Sequence, residues 1–117
     1  MTITHVVSLK YKDSIPEEER LLAFERFLHL KTSCKLPPSE SKGEGGGGGN
    51  YILDLIAGKE NLSPERLDKG FHQTFVLTFK DEKDLFYYLE QDEDHKRFSS
   101  MVANLLEDVF VFDFKSG

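Results

Sequence analysis

The segment Val109-Phe-Val-Phe-Asp-Phe114 carries apolar side chains at five of six consecutive positions. In an extended chain successive side chains point to opposite faces. Val109 and Val111 therefore go to one side, and Phe110, Phe112 and Phe114 to the other. A strand that is apolar on both sides needs a cover on both sides, which is a strong restriction for a chain of 117 residues. The other strand-like segments share the feature. Ile3, His5, Val7, Leu9 and Tyr11 alternate with Thr4, Val6, Ser8 and Lys10. Phe71, Gln73, Phe75, Leu77 and Phe79 alternate with His72, Thr74, Val76 and Thr78. Tyr51 to Ala57, closed by Gly58, reads as a further strand, with Leu53 and Leu55 opposing Ile52 and Ile56.

Between these strands the spacing turns helical. Ser14-Ile15-Pro16 followed by Glu17, Glu18 and Glu19 signals a helix start, and Leu21, Phe24, Phe27 and Leu28 form a stripe to about Thr32. Ser63-Pro64-Glu65-Arg66 predicts a short second helix by the same cap-plus-proline logic. Asp81 to Leu89 and His95 to Leu106 read as two more. The order is one α+β domain over residues 1–117: a four-stranded antiparallel sheet with helices on one face. No element remains for the second sheet face. The simplest cover is a second copy of the chain, sheet against sheet, making a homodimer; the alternative is that scattered exposed valines are normal on any surface.

Composition narrows the function. Net charge is −6, with 15 Lys and Arg against 21 Asp and Glu. That balance argues against nucleic acid and against anionic membrane surfaces as partners. No apolar run approaches the roughly 20 residues of a membrane span, and the first residues lack a signal-peptide pattern. The single cysteine, Cys34, makes no internal disulfide, so a reducing, cytoplasmic setting is expected. Six of the nine glycines fall between Gly43 and Gly49. No strand precedes them and no helix follows, so a flexible loop at about residues 37–50 is expected rather than a phosphate cradle.

Four segments carry a family resemblance. They are Thr4 to Lys12, Lys69 to Phe79 with its Lys-Gly-aromatic start, Tyr87 to Phe98, and Val109 to Phe114. In this order they resemble the stress-responsive dimeric α/β-barrel domain family, and the third resembles its Tyr…Asp-Pro-x-His…Phe signature. The resemblance spans the chain apart from the glycine-rich insert. It implies a ferredoxin-like dimeric α+β barrel, with protomers joined through their sheets. A plant member of the family is a polyketide cyclase, which implies a cofactor-independent aldol cyclisation (a lyase-type activity) of a carbonyl-rich, polyketide-like substrate. Many members are stress-induced proteins without assigned chemistry, which implies a non-catalytic or small apolar ligand-binding homodimer as the alternative.

Carried over by position, the family's first-strand histidine falls on His5 and its helix-start histidine on His95. Its third-strand histidine falls on Gln73. Its tyrosine has no partner at equal spacing, where Leu89 stands; Tyr88 is one residue farther away. Glu93 stands where the signature has proline. The residues themselves suggest the same cavity. His5 and Gln73 interrupt apolar faces, and buried polar groups need partners. His95 shares a helix face with Phe98 and Val102. The expectation is His95 as catalytic base, Tyr88 as catalytic donor or as the group orienting it, and His5 and Gln73 as substrate-binding groups. Each has a structural alternative: a core histidine at His5, a hydrogen-bonding core amide at Gln73, a cap at His95. His29 and His72 fall on the faces away from this cavity and read as surface or dimer-interface residues. Asp92-Glu93-Asp94-His95 lacks calcium-loop spacing and reads as an acidic solvated loop, so no metal and no cofactor are expected.

Overall fold

A computed structural model describes residues 1–37 and 49–116. Most of the glycine-rich stretch lies outside the described residues, but its flanks are visible. Lys35 and Asn50 form an antiparallel bridge, and Leu36 N donates to Gly49 O at 3.0 Å.

The elements are β1 (Ile3–Tyr11), α1 (Glu17–Ser33), β2 (Ile52–Gly58), β3 (Gln73–Phe79), α2 (Glu82–Glu90), α3 (Glu93–Ala103) and β4 (Leu106–Lys115). One sheet has the order β2-β3-β1-β4, with every neighbouring pair antiparallel. Alternation decides the faces. Ile3, His5, Val7, Leu9 and Tyr11 are buried beneath the helices, as are Gln73, Phe75, Leu77 and Phe79. The core forms where α1 lays Ala23, Phe24, Phe27 and Leu30 on this face. Phe27 stacks flat on Phe75, with ring centroids 3.8 Å apart. Leu85 and Tyr88 of α2, and Phe98 and Val102 of α3, close it.

Several expectations shift. The helix expected from Ser63 does not form. Arg66 N reaches Ser63 O at 3.3 Å in a single turn, and Arg66 and Lys69 then take positive φ, which a right-handed helix cannot hold. Residues 59–72 are therefore a loop, and β3 opens at Gln73 rather than Phe71. The first helix has no Ser14 cap; Pro16 occupies the cap position without a side-chain bond. Leu21 stays partly exposed because Ala23, not Leu21, lies on the sheet-facing stripe. α3 starts two residues early, at Glu93, because Asp92 caps it, and it ends at Ala103 so that β4 can begin at Leu106. In β2 a register shift between Ile52 and Asp54 puts Ile52 and Leu55 on the helix side, opposite Phe79 and Leu77. Strict alternation had placed those two on opposite faces.

The second sheet face carries Val6 paired with Val76 and Phe112, Ile56 paired with Val76, and Phe110 and Phe114 beside them. Ile56 is 60 % and Phe112 56 % exposed. β4 is uncovered on its other side too, where Val109 and Val111 are each 48 % exposed. The two ends of the described chain meet at the sheet margin: Ser116 N donates to Thr2 O at 2.9 Å, and the two hydroxyls lie 2.9 Å apart.

Candidate functional site

Antiparallel pairing of β1 with β4 sets His5 opposite Asp113. His5 is buried, and its Nδ1 is hydrogen-bonded to Asp113 Oδ1. The carboxylate accepts, so Nδ1 carries a proton and the ring orientation is fixed. At the other side of the site, Asp92 caps α3, its Oδ1 accepting from Asp94 N at 2.9 Å and His95 N at 3.1 Å. This brings His95 one turn below Ser99 and beneath the end of α2. His95 Nδ1 lies 2.9 Å from the Tyr88 carbonyl, which only accepts, so that nitrogen is the donor. Nε2 is left as the basic lone pair, with Ser99 Oγ 3.3 Å away as its resting donor. Burial, chiefly, lowers the proton affinity of His95 below that of a free imidazole, and a positive charge on His5 acts the same way. The Tyr88 carbonyl and Asp92 act against them.

Tyr88 stands between the two imidazoles. Its ring stacks on His95 with centroids 3.9 Å apart and meets His5 edge-on at 5.8 Å. Its hydroxyl is buried and has no hydrogen-bond partner among the described residues. Burial first, then the nearby Cys34 and Asp92, keeps that phenol protonated well beyond its ordinary range. His5, Tyr88, His95 and Ser99 line one cavity of about 320 Å³, whose remaining wall is apolar, including Val7, Phe27, Phe98 and Val111. Its mouth lies beside half-exposed β4.

Gln73 is elsewhere. Its Oε1 accepts from Tyr11 OH at 2.7 Å and its Nε2 donates to Arg20 O at 3.0 Å, joining β1, β3 and α1. Burial, offset in part by Arg20, pushes the Tyr11 phenol up to about 12. A larger cleft of about 620 Å³ lies at that end of the sheet, between the loop 59–72 and Phe110. Its one imidazole, half-buried His72, accepts from Tyr11 N at 3.1 Å, so it is a structural group rather than a surface one. The smaller cavity is the candidate site because it alone, among those described, gathers two imidazoles with fixed tautomers. His29 is exposed on α1.

Asp113 is the site residue that sequence reasoning missed. It is the one polar position in the run Val109 to Phe114, and it falls on the Val109–Val111 face. The acidic run 92–95 is dispersed: Asp92 turns inward, Glu93 sits 3.9 Å from Lys96, and Asp94 pairs with Arg97. Among the described residues no three His, Cys, Asp or Glu side chains are placed to hold a metal ion. Cys34 is fully buried, and burial with Asp92 beside it raises its thiol far from a reactive thiolate. No described helix is long and apolar enough to cross a membrane.

One antiparallel sheet in the order β2-β3-β1-β4, covered on one face by three helices, places the chain in the ferredoxin-like α+β class. The chain belongs to the stress-responsive A/B barrel domain family, whose model matches residues 3–116. No curated protein matches it. Among solved structures it is similar to the hydroxynitrile lyase of Passiflora edulis, at 14 % identity and TM-score 0.76, covering 99 % of this chain and 94 % of that one. It is also similar to a dimeric ferredoxin-like protein from Thermobifida fusca, at 15 % identity and TM-score 0.71, covering 99 % and 92 %. A third is a mutant of SnoaB, a cofactor-independent oxygenase of Streptomyces nogalater, at 12 % identity and TM-score 0.62, covering 98 % and 92 %.

Proposed function

We propose that this chain is a cofactor-independent cyclase or lyase acting by acid–base chemistry on a carbonyl-rich, polyketide-like substrate, and that it works as a homodimer joined through the uncovered sheet face. The observation that carries the reading is the pair of imidazoles in one apolar cavity, each with its Nδ1 already committed. The two are differentiated. His95 is held neutral by its surroundings, with Nε2 free to accept. His5 has Asp113 as counter-ion and, in its protonated form, offers Nε2–H as a donor.

In an aldol step His95 Nε2 takes the proton from a carbon between two carbonyls, displacing the Ser99 hydroxyl. His5 donates to the carbonyl oxygen on which enolate charge develops, where a donor is worth most in an apolar cavity. The enolate carbon attacks a second carbonyl of the same molecule, forming the ring bond. The proton on His95 then passes to the resulting alkoxide. Tyr88 serves as the platform between the rings rather than as the donor, since its ring and not its hydroxyl meets them. Gln73 has no part in this scheme. The solved relatives named as a lyase and a cofactor-independent oxygenase support the reading, because both put chemistry on this fold. The dimeric relative and the apolar second face support the assembly.

The mainly apolar cavity wall favours one other reading, a non-catalytic binder of a small apolar ligand. A linear poly-β-ketone thioester incubated with the protein separates the two. Cyclised product by mass spectrometry, lost in folded His95→Ala and His5→Ala, supports the enzyme. Retention of the intact ketone in native mass spectra with no product over hours supports the binder.

A further inference from the structure

We propose that Tyr51 and Asp92 are positioning residues for His95, a buried clamp that holds the first turn of α3 against the sheet and sets the imidazole on its substrate side. An ordinary helix cap is an exposed side chain accepting one or two backbone N–H groups. Asp92 is 3 % exposed, and burying a carboxylate is costly unless its oxygens are satisfied. Here they are, from the first turn of α3 and from the approach to β2. Oδ1 accepts from the N–H groups of Asp94 and His95. Oδ2 accepts from Tyr51 OH at 2.5 Å, at the threshold of β2. A cap alone has no need of a tyrosine from the sheet. The Tyr51 ring is itself held edge-on by Tyr87 at 5.4 Å and leans on Phe79 at 6.0 Å. The clamp ends on the backbone of His95, whose ring is then fixed by the Tyr88 carbonyl and Ser99.

The pair also places a fixed negative charge near His95. The groups facing that imidazole are His5 from β1, Tyr88 from α2, and Asp92 and Ser99 about α3, with Asp113 of β4 reaching it through His5. Of these, Asp92 offsets burial and His5, which both disfavour the imidazolium.

This inference rests on the reading of His95 as the base, but its test does not need turnover. Asp92→Asn keeps both the cap and the volume while removing the charge. In the full-length protein, NMR titration of the His95 ring should show its proton affinity reduced roughly three- to tenfold in Asp92→Asn. A folded Asp92→Asn with an unchanged His95 titration overturns the inference and leaves Asp92 a cap. If Asp92→Asn does not fold, Tyr51→Phe decides. It should speed amide exchange at His95 and Asp94 about tenfold while distant core amides hold, and unchanged exchange there overturns the clamp. A coupled His95 in a protein that never cyclises the ketone would sink the proposed activity and leave this inference standing.

Discussion

His95 sits under opposed influences, and their balance gives a pH signature. Burial and His5 lower its proton affinity, so the unfolded chain binds that proton more readily than the folded one. Stability is then full above the ordinary value of about 6.5 and falls as pH drops through it toward the lowered value. Half-buried His72, lowered mainly by burial and also by Arg20, has the same sign. The thermal midpoint should decline between about pH 7 and pH 5, and His95→Gln should flatten that decline; calorimetry across the range checks it. For turnover the same direction puts the acidic limb of kcat/KM below the free-imidazole value. His95→Ala should lower kcat by roughly 10²–10⁴ while leaving the fold intact. At this scale the sequence was legible where a polar residue broke an apolar face and had a neighbour with matching periodicity. His5 and His95, which line one cavity, stood out in this way. Gln73 broke its face equally, but its partners are Tyr11 and the Arg20 carbonyl, whose approach depends on how α1 crosses the sheet. Asp113 was illegible because only the β1–β4 register sets it beside His5.

Among the helices, α1 buries the most core side chains, and one of them reaches the cavity. Phe27 stacks on Phe75 and also lines the cavity wall. Phe27→Ala should cost about 3–5 kcal/mol, read from urea unfolding, and should enlarge the cavity. The connection between α1 and β2 should behave in the opposite way. Lys35 and Asn50 are bridged, and Asn50 Nδ2 donates to Thr32 O at 2.8 Å, so the two flanks are held together independently of the residues between them. Replacing residues 39–48 by a four-residue turn should change stability by no more than about 1 kcal/mol, because closure entropy varies slowly with loop length. All four strands and three helices were readable from periodicity, with ends off by a few residues. The fourth helix was not real. Ser63-Pro64 carries a sound start signal, but no apolar stripe follows to bury, and a start signal without packing yields a turn. The shift in β2 escaped notice because one displaced residue leaves composition untouched while turning Ile52 and Leu55 to the same side.

For the whole molecule the open question of the strand pattern is what covers the second sheet face. Val6, Val76, Ile56, Phe110, Phe112 and Phe114 make a patch of the kind monomers rarely leave to water. Phe112→Asp should convert a dimer to a monomer in sedimentation experiments without unfolding the protomer, since Phe112 touches no helix-side core. A protein that sediments as a monomer before the substitution would leave the apolar face unexplained by self-association. One further feature bears on how the chain reaches this state. Thr2 and Ser116 are hydrogen-bonded across the sheet margin, so β1, made first, waits for β4, made last, before its outer edge is paired. Joining Ser116 to Thr2 through a short linker, and opening the chain between Pro37 and Gly49, would turn that longest-range pairing into a local hairpin. The permuted order β2-β3-α2-α3-β4-β1-α1 keeps every pairing and lowers the mean sequence separation of β1 from β4. It should refold faster in stopped-flow measurements than the natural order at comparable stability.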